Sequence, residues 1–216
     1  MATKWSSARD FIIDAGIVAV VRAGASGELV DVVKAVAAGG VKAIEVTMTT
    51  PNALKVISES VSQVGDDVLM GVGSVLDPET ARAAILAGAE YVVTPTLSPE
   101  TVRISKRYNK TVVCGAFTPT EILRAWDCGA DLVKVFPASL GGPGLIKAIK
   151  GPLPQIPLMP TGGVDLGNVV EFFEAGASAL AVGGKLVKKD LIAAKDFDGL
   201  TDIARAFMAE VKKARG

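Results

Sequence analysis

The run DLVKVFPAS, residues 131–139, sets a lysine in the middle of an apolar, β-branched stretch of the kind that forms a buried strand. An amine with no route to water is expensive to keep charged, so a lysine held in such a place usually has a use or a partner. Period-two alternation puts Leu132, Lys134 and Phe136 on one face and Val133 and Val135 on the other. Both faces therefore carry apolar neighbours, as in a parallel sheet covered by helices.

Working outward, the segment that leads into this run, WDCGADLVKV, has counterparts in VAAGGVKAIEV, ILAGAEYVV and FEAGASALAV. Each ends a helical pattern on glycine, adds a residue or two and enters a strand, with glycine supplying a left-handed cap that turns the chain back. Eight strand-like runs follow one another: 17–23, 43–48, 68–76, 90–95, 111–116, 132–138, 157–163 and 179–184. Between them lie segments of helical period such as GELVDVVKAVAAGG, DPETARAAILAGA, TPTEILRAWDCGA and LGNVVEFFEAGA. LDPETA, LSPETV and FTPTEI carry a capping residue beside proline and an early acid, the signature of a helix start.

Eight such units in 216 residues predict an α/β fold, a closed (β/α)8 TIM barrel, as one domain over 1–216 with a short N-terminal helix. DGLTDIARAFMAEVKKARG reads as the closing helix. A flavodoxin-like or Rossmann sheet is the structural alternative, and the absence of GxGxxG after the first strand counts against the second.

Hydrophobic residues make up 50% of the chain and aromatics 5%, so Ala, Val, Ile and Leu must fill the core. Lys plus Arg and Asp plus Glu each number 23, which leaves no excess charge to attract nucleic acid. Cys114 and Cys128 lack CxxC spacing and are expected to be small core residues with reduced thiols, which suits a cytoplasmic protein. The N-terminus lacks the features of a signal peptide, and no run approaches the roughly 18 uninterrupted apolar residues that span a bilayer, so no membrane association is expected. Histidine is absent. That removes Ser-His-Asp and Cys-His nucleophilic sites and imidazole zinc sites, and leaves Glu, Asp, Lys, Tyr and Cys as acids and bases.

In a barrel, catalytic groups lie inside the strands or at their C-terminal ends. Lys134 inside the lumen would be desolvated and held as the neutral nucleophile that attacks a ketone to form a Schiff base. The bland alternative is a structural lysine paired with an interior carboxylate. Glu45 in AIEVTM is an acid in similarly apolar surroundings, where a raised pKa would suit proton transfer near neutrality. Strands two and six of eight face one another, so one small substrate would touch both residues, and Glu45 would equally serve as the ion-pair partner.

PTGGVDLGN after the seventh strand and VGGKLV at the eighth bring bare backbone amides, with the start of a short helix, to the place where barrels commonly hold phosphate; Lys185 adds charge there. Arg22 closes the first strand as a candidate carboxylate clamp. Ser74 with Gly73, and Thr94 with Pro95, end the third and fourth strands. Trp5, Trp126 and Phe117 carry no readable ligand role.

IEVTMTTP, GVGSVLDPE, GAEYVVTP, VKVFPAS, MPTGGV and AVGGKLV, in this order and spacing, resemble the 2-keto-3-deoxy-6-phosphogluconate aldolases, class I pyruvate aldolases that also appear as 4-hydroxy-2-oxoglutarate aldolases. The likeness runs from about residue 12 to about residue 190. It implies a Schiff base at Lys134, proton transfer by Glu45, and a substrate phosphate on Gly162, Gly163 and Gly184. Substrate contacts are further expected from Thr49, Ser74, Pro95, Thr161 and Lys185, with no metal or organic cofactor, a phosphorylated keto acid as small-molecule partner and, as in many similar proteins, a homotrimer.

The chain departs from the pattern where Thr49 replaces the carboxylate-binding arginine of EVTLRT, where Lys185 replaces a serine, and where GVGS replaces GAGT. Arg22 is the expected substitute clamp, as in similar members that also lack the arginine. A related pyruvate-dependent aldolase, a metal-dependent one, a phosphosugar epimerase, or a non-catalytic trimeric scaffold on the same fold are the competing readings. The two buried ionisable residues argue against the scaffold.

Overall fold

Strands that bury both faces need helices on one side and each other on the other, and the chain satisfies both demands by closing on itself. The computed structural model describes residues 7–22 and 28–216. The expectations for Trp5 and for Ala23, at the end of the first strand run, lie outside the described residues. In chain order the elements are α1 (Ala8–Ala15), β1 (Ile17–Val21), α2 (Leu29–Ala38), β2 (Ala43–Thr47), α3 (Ala53–Val64), β3 (Leu69–Gly73), α4 (Pro78–Leu86), β4 (Tyr91–Val93), α5 (Pro99–Arg107), β5 (Thr111–Ala116), α6 (Pro119–Asp127) and β6 (Leu132–Val135). A 3-10 turn (Ala138–Leu140) then leads to α7 (Gly142–Lys150), β7 (Leu158–Pro160), α8 (Val169–Glu174), β8 (Leu180–Val182), α9 (Lys189–Ala194) and α10 (Phe197–Arg215).

All strand pairs are parallel, and each strand lies beside its sequence neighbours in the order β7-β6-β5-β4-β3-β2-β1-β8. A parallel bridge between Thr161 and Ala181 joins the two ends, which makes the eight-stranded (β/α)8 barrel expected from the sequence. The strands stop earlier than their apolar runs. After β3 the chain turns at Ser74, with φ of 57°, and after β7 at Gly162 and Gly163, both with positive φ, so the tails of those runs form loops. After β6 it enters the 3-10 turn.

Alternation along the strands divides the core in two. Val133 and Val135 belong to the layer between sheet and helices, whereas Leu132 joins Val18, Ala43, Tyr91, Val113 and Met159 in the lumen. Ile12 of α1 is fully buried against this inner cluster, so α1 plugs the N-terminal end of the barrel. Arg215 at the end of α10 fastens that plug, donating to the carbonyls of Asp14 at 2.6 Å and Ile13 at 2.5 Å. The lumen consequently opens at the C-terminal ends of the strands.

The helix signals fall where the sequence put them. Asp77, Ser98 and Thr118 cap α4, α5 and α6 through their side chains, Thr118 in a reciprocal box with Glu121. Gly40, Gly88, Gly129 and Gly176 have φ between 94° and 108° at the four repeated helix-to-strand joints. No helix among the described residues is long and apolar enough to cross a membrane. One expectation fails: Cys114 is buried, but Cys128 is exposed because it caps α6 where the chain turns away at Gly129.

Gly115 of β5 shows how tightly the loops rest on the strands. A Cβ there would lie 2.2 Å from the carbonyl carbon of Pro95, and Thr94 Oγ1 pins the same loop by accepting from Gly115 N at 3.1 Å and donating to the Thr96 carbonyl at 2.7 Å. Gly115→Ala must displace backbone, so it is expected to lower stability by about 1–3 kcal/mol or more. A urea titration reads this as a lower midpoint at unchanged slope; an unshifted midpoint would contradict the packing described.

Candidate active site

β6 carries Lys134 and β2 carries Glu45 into the lumen, where they are 5% and 1% exposed. Their neighbours are small or apolar: Glu45 stands opposite Val20 and Gly71 in register, and Lys134 opposite Gly115 and Met159. Glycine at 73 makes room for the carboxyl group, since a Cβ there would lie 2.5 Å from Glu45 Oε1.

Neither Glu45 oxygen has a hydrogen-bond partner among the described residues. No hydrogen bond or ion pair within 4 Å therefore joins Glu45 to Lys134, and the reading of the pair as a direct structural contact gives way to two groups that act on each other through charge alone. Burial pushes the Glu45 pKa above its ordinary value, opposed by the positive charges of Lys134 and then Arg22. A carboxyl group so placed can hold or release a proton at a pH where an exposed glutamate is simply ionised.

The remaining expected residues lie at the C-terminal ends of the strands, around this pair. Arg22 is the first residue after β1, exposed, and near enough to bias Glu45. Thr49 is exposed in the turn after β2, its hydroxyl 2.9 Å from that of Thr47. Ser74 and Pro95 are half-buried just beyond β3 and β4. Thr161 is buried after β7, where its backbone N donates to Val135 and its carbonyl accepts from Ala138 N.

Gly163 packs against Ser139, 2.8 Å from a Cβ built there, and its carbonyl accepts from the Asn168 amide at 2.8 Å. Gly184 and Lys185 are exposed in the turn after β8. The short helix expected to begin in this glycine region starts later: Gly183 O instead accepts from Leu186 N and Val187 N in a tight turn, and α9 begins at Lys189. Among the described residues, no group of three or more His, Cys, Asp or Glu is placed to hold a metal ion.

The sequence model for the KDPG and KHG aldolases matches residues 9–203. The chain belongs to this family. It is 36% identical over 172 residues, 79% of this chain and 77% of the relative, to a 2-dehydro-3-deoxy-phosphogluconate aldolase of Pseudomonas aeruginosa. It is 32% identical over 199 residues, 92% of this chain and 95% of the relative, to a 2-dehydro-3-deoxy-6-phosphogalactonate aldolase of Escherichia coli. Its fold superposes with a TM-score of 0.87, at 25% identity over 94% of this chain and 99% of the other, on the crystal structure of KDPG aldolase from Legionella pneumophila with pyruvate captured at low pH as a covalent carbinolamine.

Two lumen residues of this aldolase escaped the sequence reading. Phe136, 40% exposed at the mouth, lays its ring 5.1 Å from Lys134 Nζ and reaches toward Gly162. Its shared face with Lys134 was legible from alternation, but proline next in sequence suggested only a strand end. Tyr91 is fully buried in the lumen with an unpaired hydroxyl; a tyrosine among valines in EYVVTP was the available signal.

Because the folded pKa of Glu45 is raised, the fold is favoured by the protonated form. That advantage is complete below the ordinary value of 4.5 and is lost as pH rises through the folded pKa. Glu45→Gln is therefore expected to match wild type in thermal stability at low pH and to exceed it increasingly as pH rises. Melting curves at stepped pH check this, and a gain that shrinks toward alkaline pH would contradict the assignment.

Proposed function

We propose that the chain is a class I aldolase that cleaves 2-keto-3-deoxy-6-phosphogluconate to pyruvate and glyceraldehyde 3-phosphate, and accepts 4-hydroxy-2-oxoglutarate as a smaller substrate. The observation that carries this reading is a lone buried lysine facing, without touching, a buried carboxyl group of raised pKa. The covalent pyruvate adduct named for the Legionella pneumophila relative supports a carbonyl-addition chemistry here.

The Lys134 amine adds to the C2 carbonyl to give a carbinolamine, and loss of water leaves an iminium. The Phe136 ring face, 5.1 Å from Nζ, stabilises the cation that forms on that nitrogen. Glu45, through a water, removes the proton from the 4-hydroxyl. The C3–C4 bond breaks, its electron pair moves toward the iminium, and the aldehyde departs. The same carboxyl returns the proton to C3 of the enamine, and water hydrolyses the imine to release pyruvate and regenerate the amine.

Arg22 holds the substrate carboxylate in place of the arginine absent at position 49, a role supported by its reach to the Glu45 field. Gly162, Gly163 and Gly184 offer backbone amides to the phosphate, with Lys185 adding charge. Thr49, Ser74, Pro95 and Thr161 line the space between these ends. The relatives include both gluconate and galactonate enzymes, so the configuration at C4 is the property the loops must select.

Incubation with pyruvate and borohydride, followed by peptide mapping, is expected to add reduced pyruvate at Lys134 and nowhere in Lys134→Ala. Glu45→Gln should retain binding but lose about 10²–10⁴-fold in kcat. Aldol cleavage surviving in Lys134→Ala would sink the reading.

The two ends of the substrate can be separated kinetically in the condensation direction. Arg22→Ala is expected to raise KM for pyruvate roughly ten- to hundredfold, the worth of one charge-assisted hydrogen bond. Lys185→Ala should instead raise KM severalfold for the phosphorylated aldehyde alone. Equal effects of each variant on both substrates would contradict these placements.

A further inference from the structure

β3 presents two glycines, Gly71 and Gly73, on its lumen face, and each admits a different polar group. A Cβ on Gly71 would lie 2.3 Å from Cζ of Tyr91, and one on Gly73 would lie 2.5 Å from Glu45 Oε1. Glu45 and Gly71 are register partners, so the phenol end of Tyr91 crosses β3 beside the glutamate, one step nearer the barrel floor. Tyr91 Oη and both Glu45 oxygens are buried with no hydrogen-bond partner among the described residues. The two groups thus occupy neighbouring lumen positions against β3, and native interiors rarely leave such polar groups unmade, a buried water being the usual partner.

We propose that Tyr91 is a positioning residue for Glu45: its hydroxyl donates through one buried water to the carboxylate from the floor side, leaving the other oxygen turned to the mouth for proton transfer. The catalytic consequence rests on the aldolase reading; the hydrogen bond does not. Among the described residues, the charges that act on Glu45 are Lys134 from β6 and Arg22 beyond β1, and the Glu45 charge acts in turn on Tyr91 from β4. Burial, with the Glu45 charge second, keeps the phenol protonated far above its ordinary range, so it is available as a donor. A donor to the ionised carboxylate favours that form and lowers its pKa.

Tyr91→Phe keeps the ring over Gly71 and removes only the hydroxyl. The Glu45 carboxyl band, assigned in infrared difference spectra by its loss in Glu45→Gln, is expected to titrate about one pH unit higher in Tyr91→Phe than in wild type. The acid limb of pyruvate methyl-proton exchange should move up with it, and exchange at neutral pH should change severalfold, while borohydride trapping at Lys134 stays undiminished. An unmoved carboxyl titration, or a high-resolution crystal structure of the wild type with no water within hydrogen-bond reach of both Tyr91 Oη and Glu45, overturns the proposal. Failure of trapping in both proteins would remove the Schiff-base chemistry and still leave the infrared titration to decide the role of Tyr91.

Discussion

Two opposite ionisable groups, Lys134 and Glu45, are buried in one lumen without a hydrogen bond between them, and the surrounding structure is arranged to tolerate that. A buried pair in contact recovers part of its desolvation through attraction and hydrogen bonds, while groups held apart recover less. The difference must be offset by the rest of the fold, here the continuous apolar layer between the sheet and its helices. What the separation gives in return is chemical: a lysine locked onto a carboxylate has no free lone pair, and a carboxylate locked onto a lysine has no reason to carry a proton.

The arrangement depends on glycine. Gly73 leaves room for the glutamate head, Gly71 for the tyrosine ring, and Gly115 for the loop that brings Pro95 over β5. Any side chain at these positions would fill the lumen or push the loop outward. A barrel of this size is packed by its own side chains, so missing side chains in the strands are what admit a carboxyl group, a phenol and a loop into the core. α1 closes the opposite end.

Most of the architecture was legible because it rests on local and repeated signals. Asp77, Ser98 and Thr118 announce helices by side-chain caps, and the four joint glycines announce the turns into strands. Lys134 and Glu45 were legible for another reason: an ionisable residue inside a β-branched run conflicts with its surroundings. Tyr91 and Phe136 raised no such conflict, because aromatic residues belong in strands and their polar or π-face contacts arise only when distant strands meet. Strand ends were overextended for a similar reason, since apolar loop residues such as Val75 stay buried after the strand has stopped. Cys128 was misplaced because a residue type common in cores fell at a helix end, where exposure is set by the exit direction of the chain.

The family likeness and the physical reading meet at different depths of the barrel. Near the floor lie the buried carboxyl group of Glu45, the phenol of Tyr91 and the glycines that make room for them. At the mouth, Arg22, Thr49, Gly163, Gly184 and Lys185 are exposed. Arg22 directly follows β1, the strand beside β2, so its positive charge bears on Glu45 from the neighbouring strand end.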